Sequence, residues 1–517
     1  MSRLVIFLSL IVSFASQAQE RARLGVLVVV DQLSLDSFDQ RLPLAKGGFR
    51  RMVDQGLRFR EARFNVAPTI TSSGHATLTT GAWASVHGVV SNEWNDWATG
   101  KNTLSTEDKS YTVVGRPPAK QDGTAPTSLR APTLADSVKV RDARGKVVAI
   151  SGKDRSAILS VGRAADAVVW FDAERPMFVT STFYAQKLPA FVAPVNDAIA
   201  AGLLKKLFTW GLPGGGITGA NPAPRGRQGD SEPDAEQPAL QPKIDAWEVD
   251  LALGAVKEFK LGADDAPDLI TISFSGHDRI GHNFGAESPE GVAEFLALDH
   301  ELGRLFDGLD QQVGKGAWVA VMSSDHGVAP VPDKLVERKI DAGRIDLKAV
   351  RAQLEQEADA KLGPGDWFES SKTPGLTATA AGREKLNGIS DALRAVAIKQ
   401  PGVLDLLSAE RIAKAAPGSM EELWRRGYVP GRSPDFIVVA KPYWTYSRGD
   451  LTGHASHYLY DRTVPLVFLG AGVPHGTADA AEVIDLAPTF ARLLGVPAPA
   501  AAQGRVLDAL FPSTLSR

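Results

Sequence analysis

The run Gly25-Val-Leu-Val-Val-Val30, followed at once by Asp31, decides how this chain folds. A continuous apolar run of this length reads as a strand buried on both faces, as in a parallel sheet. The pattern recurs: Leu269-Ile-Thr-Ile-Ser-Phe274 precedes Asp278 and His282, and Trp318-Val-Ala-Val-Met-Ser323 precedes Asp325 and His326. Lys146-Val-Val-Ala-Ile150, Phe436-Ile-Val-Val-Ala440 and Pro465-Leu-Val-Phe-Leu469 read as further strands of the same sheet. Helical periodicity separates them, as from Val292 to Phe306. Alternating β and α elements predict an α/β fold with a largely parallel central sheet flanked by helices on both faces.

Two stretches interrupt this alternation. Leu212 to Lys243, with Pro213-Gly-Gly-Gly216 and Asn221-Pro-Ala-Pro224, reads as a mobile Gly/Pro-rich loop. Residues 335–433 lie between two predicted strands and are too many for a simple crossover, so an inserted cap subdomain is expected there. The catalytic α/β domain then comprises residues 19–334 and 434–517. Val483 to Leu494 reads as a helix ending near Gly495 and Pro497.

At 517 residues, 44% hydrophobic and 23% charged, the chain has the composition of a soluble globular protein with a large core. Its net charge of −3 makes no electrostatic case for nucleic acid or an anionic membrane surface. A small anionic substrate would need positive charge placed locally. The absence of cysteine excludes disulfides, thiolate metal sites and a cysteine nucleophile. Met1-Ser-Arg3 followed by apolar Leu4 to Phe14, then Ser16-Gln-Ala18, has the layout of a cleavable signal peptide. Cleavage after Ala18 and a periplasmic or secreted location are expected, with no membrane attachment. The oligomeric expectation is a monomer.

In open α/β sheets, ligands bind beyond the carboxyl ends of the strands. Asp31, Asp278, His282, Asp325 and His326 all follow such strands, and His454 sits late in Thr452-Gly-His-Ala-Ser456. Three carboxylates and three imidazoles suit two divalent metals, and this donor chemistry favours zinc. The Asp278-x-x-x-His282 spacing puts two ligands on one helical turn, and His454 completes a three-ligand site with an open position. Asp31, Asp325 and His326 supply a second. Any one of these residues alone would read as a turn or cap; six together do not.

Ala67-Pro-Thr-Ile-Thr-Ser-Ser-Gly-His-Ala-Thr-Leu-Thr-Thr-Gly81 reads as a loop from Pro68 to Ser73 and a helix opening at Gly74. A hydroxyl at that junction sits where helix N–H groups favour an anion. Thr71 is the candidate nucleophile, activated by a metal. Thr69, Ser72 and Ser73 remain rivals on this reading. In Ile150-Ser-Gly-Lys-Asp-Arg-Ser-Ala157, Lys153 and Arg155 alternate after a strand, so both are expected to point into one cleft and bind phosphate oxygens. In Val86-His-Gly-Val-Val-Ser-Asn-Glu-Trp94, Asn92 is placed to donate to a phosphoryl oxygen. His75, His87, His277, His300, His457 and His475 read as packing, supporting or turn residues.

With these motifs assembled, the chain resembles the alkaline phosphatase superfamily from about Gly25 to about Gly504. It looks most like the phosphate-irrepressible (PafA-like) single-threonine alkaline phosphatases, relatives of the nucleotide pyrophosphatase/phosphodiesterases. The motifs that carry this are Pro68-Thr-Ile-Thr71-Ser-Ser-Gly-His75, Gly88-Val-Val-Ser-Asn92-Glu-Trp94 and Gly152-Lys153-Asp-Arg155. Asp278-Arg-Ile-Gly-His282, Ser324-Asp325-His326-Gly327 and Gly453-His454-Ala-Ser-His-Tyr458 complete the set. One departure is visible: the family's usual His-Gly-Ser-Pro-Tyr is His454-Ala-Ser-His-Tyr458 here, which leaves the shape of that loop open.

The resemblance implies two zinc ions per subunit, one held by Asp278, His282 and His454, the other by Asp31, Asp325, His326 and Thr71. It implies hydrolysis of a broad range of small phosphate monoesters through a phosphothreonine on Thr71. Lys153, Arg155 and Asn92 would bind the phosphoryl oxygens, and loss of Arg155 would hurt monoesters more than diesters. The alternative is a phosphodiesterase or nucleotide pyrophosphatase with the same metals, which has no need of Lys153 and Arg155. A sulfatase is disfavoured because no Cys/Ser-x-Pro-x-Arg motif occurs at the nucleophile loop.

Overall fold

The computed structural model describes residues 21–117, 123–202, 240–446 and 449–511. Ten strands, numbered here in chain order, form one sheet: β1 (Leu24–Val30), β2 (Leu57–Arg63), β3 (Val113–Val114), β4 (Val147–Ser151), β5 (Ala167–Asp172), β6 (Met177–Ser181), β7 (Asp268–Phe274), β8 (Trp318–Ser323), β9 (Thr463–Gly470) and β10 (Gly476–Glu482). Their spatial order is β10-β2-β9-β8-β1-β7-β4-β5-β6-β3. The central block β8-β1-β7-β4-β5 is wholly parallel. Antiparallel pairings flank it, β8 with β9 on one side and β5 with β6 on the other.

The apolar runs explain this centre. Every residue of β1, β7 and β8 is buried, as a strand covered on both faces requires. Val26, Val28 and Val30 pack with Phe38, Phe49, Phe295 and Leu302 in one core. Leu27 and Val29 point the other way, onto Leu486, Phe490 and Leu494. Helices therefore cover both faces. Each fully buried valine or leucine contributes about 1.5–3 kcal/mol relative to exposure.

One strand lies elsewhere. Phe436–Ala440 does not join the main sheet but pairs antiparallel with Val403–Ser408 and Gly375–Ala378 in a separate four-stranded sheet that also holds Phe368–Lys372. Its apolar alternation serves a different core, built with the helices Leu347–Leu362 and Ser390–Ala397. The inserted unit thus reaches past 433 to at least Ala440. The same core includes Ile70 and Ala455, so this unit is built directly onto the segment before Thr71 and the His454 loop.

Residues 1–20, with the expected signal peptide, lie outside the described residues, as do residues 212–239 of the Gly/Pro-rich stretch. Gln241, expected in that loop, instead opens the helix Gln241–Phe259. Among the described residues, no helix is long and apolar enough to cross a membrane.

Candidate active site and metal centre

The site lies where the carboxyl ends of β1, β7 and β8 converge. Asp31 follows β1, and its backbone N–H donates to Phe274 O at the end of β7 at 3.0 Å. After β7 the chain turns into α1 (Gly276–Phe284), which carries Asp278 and His282 one turn apart. Asp325 and His326 leave β8 in a non-helical loop. His454 comes from a distant loop, fastened to the nucleophile segment by its Nδ1 on Thr69 O at 2.7 Å.

The three histidines share one arrangement. Nδ1 of His282 meets Thr452 O at 3.0 Å, Nδ1 of His326 meets Gly327 O at 2.9 Å, and Nδ1 of His454 meets Thr69 O. A carbonyl can only accept, so each ring carries a proton on Nδ1 and turns Nε2 inward. Metal-binding histidines are oriented in this way. Asp31, Asp325 and His326 bring ligand atoms within 4.8 Å of one another, and so do Asp278, His326 and His454. His282 stands beside the second group, Nε2 at 3.1 Å from Asp278 Oδ1. His326 therefore lies between the two expected ligand sets rather than within one alone.

The electrostatics mark a centre short of positive charge. Burial, with Asp278 and Asp325 nearby, pushes Asp31 up to about 8. Burial opposes charging of His282, yet the neighbouring Asp278 raises it to about 9. Burial and the nearby His326 and His282 hold His454 neutral, well below the usual imidazole range. Asp31 Oδ1 and Asp325 Oδ2 are buried without a hydrogen-bond partner. Orphaned buried carboxylate oxygens facing imidazole nitrogens are costly unless a cation joins them, so the donor set fits divalent metal.

The segment with the candidate nucleophile differs from expectation in one detail. The helix Thr71–Thr80 begins at Thr71 rather than at Gly74, with Ile70 as its cap. This separates the rival hydroxyls. Thr69 Oγ1 accepts from Ala455 N at 3.2 Å, and Ser73 Oγ donates to Ile70 O at 3.0 Å. Ser72 Oγ donates to Asn92 Oδ1 at 2.8 Å. Of the four, Thr71 Oγ1 meets a candidate metal ligand, His326 Nε2, at 3.3 Å. Gly74 permits this approach, because a Cβ there would stand 2.3 Å from Asp325 O.

Lys153 and Arg155 part company. Lys153 is the extended cap of the helix Asp154–Val161 and Arg155 lies within that helix, so the strand alternation that would have pointed both side chains the same way ends between them. Its buried Nζ lies 2.6 Å from both Asp31 Oδ2 and Asp278 Oδ2. Arg155 instead lines a cleft of about 300 Å³ together with Asn92, His282 and His454.

Two supporting residues escaped the sequence reading. Gln32, in a left-handed conformation with φ 67°, donates from its backbone N–H to Asp325 Oδ1 at 3.1 Å and from Nε2 to Asp278 Oδ1 at 2.6 Å. Its position directly after a ligand was the only available signal. Arg41 meets His277 Nε2 at 2.9 Å, while the other ring nitrogen reaches Asp31 O at 3.2 Å. Burial drives His277 down to about 3, so it stays neutral and supports the Asp31 backbone from behind.

Comparison with known proteins gives the class of this centre. The model of the type I phosphodiesterase / nucleotide pyrophosphatase family matches residues 25–461. The chain belongs to this family. Within reach of this type I phosphodiesterase family member stand alkaline phosphatase PafA of Elizabethkingia meningoseptica, 28% identical over 95% of this chain and 94% of the relative. Alkaline phosphatase PhoV of Synechococcus elongatus is 29% identical over 96% and 94%. The crystal structure of wild-type PafA superposes with a TM-score of 0.86 at 27% identity, covering 95% of this chain and 99% of that one. A PafA variant altered at one threonine, one asparagine, one lysine and one arginine matches with a TM-score of 0.85. Those are the residue types of Thr71, Asn92, Lys153 and Arg155. Murine ectonucleotide pyrophosphatase / phosphodiesterase 5 shares the fold at 15% identity and a TM-score of 0.55.

Proposed function

We propose that this chain is an exported alkaline phosphatase that hydrolyses phosphate monoesters through a phosphothreonine on Thr71, at a centre of two zinc ions. The observation that carries this reading is Thr71 Oγ1 at a helix N-terminus, 3.3 Å from His326 Nε2, under a cleft lined by Asn92 and Arg155. The alkaline phosphatases PafA and PhoV, similar over nearly the full length, support the phosphatase assignment. Export rests on the Met1 to Ala18 pattern alone.

Asp31, Asp325, His326 and Thr71 would hold one ion, and Asp278, His282 and His454 the other. When bound, the ions supply Lewis acidity that lowers the pKa of the Thr71 hydroxyl and stabilises charge on the departing oxygen. Thr71 Oγ1 attacks phosphorus in line as the bond to the alcohol oxygen breaks, and water then cleaves the phosphothreonine. The transition state is loose, so positioning and charge stabilisation do most of the catalysis. Asn92 donates to one phosphoryl oxygen, and Arg155 presents its fork to others. With cations held by Asp31 and Asp278, Lys153 would be free to add a point charge at the phosphoryl oxygens. A dianionic monoester presents more such oxygens than a diester, and this favours a monoesterase over the diesterase named in the family description.

Acid-quenched turnover of a phosphate monoester, followed by peptide mass spectrometry, tests the reading. A phosphoryl group on Thr71, lost in Thr71→Ala, is expected. Phosphorylation at Ser72 or Ser73, or none at all, contradicts it.

A further inference from the structure

The segment joining the outer hairpin to the body of the protein touches both phosphate-binding side chains through intermediaries. Strands Glu93–Asp96 and Lys101–Leu104 form that hairpin, and Ser105 and Thr106 follow it. Both are buried, at 1% and 2% exposure. Ser105 N donates to Asn92 O at 2.8 Å, closing the base of the hairpin.

Ser105 reaches Asn92 through Ser72. Ser72 N and Ser72 Oγ both donate to Asn92 Oδ1, at 3.0 and 2.8 Å. Since Ser72 Oγ spends its proton there, the 2.9 Å contact between Ser72 Oγ and Ser105 Oγ has Ser105 as donor. Two donors on Oδ1 assign the Asn92 amide, leaving its NH₂ for the cleft. Thr106 acts on the other side. Its Oγ1 donates to Asp154 Oδ2 at 2.6 Å, and Asp154 Oδ1 lies 3.7 Å from Arg155 Nη1. Arg155 Nε has no hydrogen-bond partner, and Asp154 is a carboxylate placed beside the guanidinium.

We infer that Ser105 and Thr106 are positioning residues for the phosphoryl group, Ser105 orienting Asn92 through Ser72 and Thr106 orienting Arg155 through Asp154, and that Thr106 thereby sets monoester selectivity. The inference rests on the monoesterase reading above. It makes the hairpin base a single part that aims two phosphate ligands drawn from different elements. The hairpin is in turn tied to the cap by Glu93 Oε2 with Lys372 Nζ at 2.7 Å and by Asn95 Nδ2 donating to Ser370 Oγ at 2.8 Å.

The test uses the full zinc-loaded protein and reads kcat/KM for p-nitrophenyl phosphate and bis-p-nitrophenyl phosphate in parallel. Thr106→Val, nearly isosteric, and Ser105→Ala are each expected to lower the monoester value about five- to tenfold, the usual effect of one lost hydrogen bond or somewhat more. For Thr106→Val the diester value should change by less than about twofold, because it depends little on Arg155, whereas Ser105→Ala acts through Asn92, which meets an oxygen that both esters present, and should lower both values. Thr106→Ser should restore the parent ratio. In an Arg155→Ala background Thr106→Val should have no further effect, and in an Asn92→Ala background neither should Ser105→Ala. Equal losses on both substrates in Thr106→Val, an unchanged monoester value in Ser105→Ala, or losses that add to those of Arg155→Ala and Asn92→Ala, overturn the inference. If Arg155→Ala collapses the monoester-to-diester ratio while Thr106→Val keeps it, only this inference falls. An unchanged ratio in Arg155→Ala sinks the monoesterase reading and this inference with it.

Discussion

Gln32 donates from its side-chain amide to Asp278 at 2.6 Å and from its backbone to Asp325 at 3.1 Å, so one residue ties together carboxylates from both candidate metal sets. Gly281 makes room for it, since a Cβ there would stand 1.9 Å from Gln32 Oε1. Residues that orient metal ligands typically matter about 10–100-fold in metal affinity. Gln32→Ala should therefore lose zinc to a competing chelator at about 10–100-fold lower chelator strength than the parent. Equal retention in the two proteins would show that the carboxylates need no such restraint.

The His454 loop carries Ala455 in a backbone conformation that suits glycine. Ala455 has φ 85°, in the region that favours glycine. The loop keeps its course because Ala455 N is held by Thr69 Oγ1 at 3.2 Å. A left-handed conformation costs a residue with a Cβ about 1–2 kcal/mol, offset in part by the greater unfolded-state freedom of glycine. Ala455→Gly should be more stable by about 0.5–1 kcal/mol, seen as a small rise in Tm. A fall in Tm would mean that the Ala455 methyl group, buried in the cap core, contributes more than the strain removes.

Gly74 answers to a similar constraint from the opposite direction. The Asp325 carbonyl and Cβ would meet an added Cβ at 2.3 and 2.8 Å, which backbone cannot yield cheaply. Gly74→Ala should push Thr71 away from His326, costing about 1–3 kcal/mol in stability and lowering kcat well beyond what the loss of folded protein explains. Parent-like kcat in the folded fraction would contradict the close approach.

Asp461 supplies a pH dependence. It accepts from Ser456 N at 2.8 Å, and its backbone carbonyl accepts from Gly327 N at 2.7 Å, so it braces the loops of His454 and His326. Burial raises its carboxyl to about 7. Between about pH 4, where an unfolded aspartate ionises, and pH 7, the unfolded chain releases a proton that the folded chain keeps. Stability from this group is thus lost as pH rises through that window. Asp461→Asn keeps the acceptor for Ser456 without the ionisation, so the metal-free variant should gain Tm relative to the parent between pH 5 and pH 8. A pH-independent difference would rule out the buried carboxyl as the source.

Much of this centre was legible because its carriers are short and strongly patterned. Asp31, Asp278, Asp325 and His326 follow apolar runs whose burial on both faces leaves little freedom for where their ends lie. Phe436–Ala440 was misplaced for the same reason: a run of buried apolar residues fits either sheet, and only pairing with Val403–Ser408 tells them apart. The choice of Thr71 over Thr69, Ser72 and Ser73 depends on rotation about a helix start that spacing alone does not define. Lys153 turned inward because the partners that attract it, Asp31 and Asp278, are remote in sequence. Gln32 carries no charge and no motif, so its role emerges only from contacts across the site.

The central claim, a two-metal monoesterase built on Thr71, is tested most directly by comparing metal-stripped and zinc-reconstituted protein on p-nitrophenyl phosphate and bis-p-nitrophenyl phosphate at alkaline pH. The account predicts that stripping abolishes activity, that zinc restores it, and that the monoester exceeds the diester by orders of magnitude in kcat/KM. Activity that survives stripping, or a diester preferred over the monoester, would contradict it.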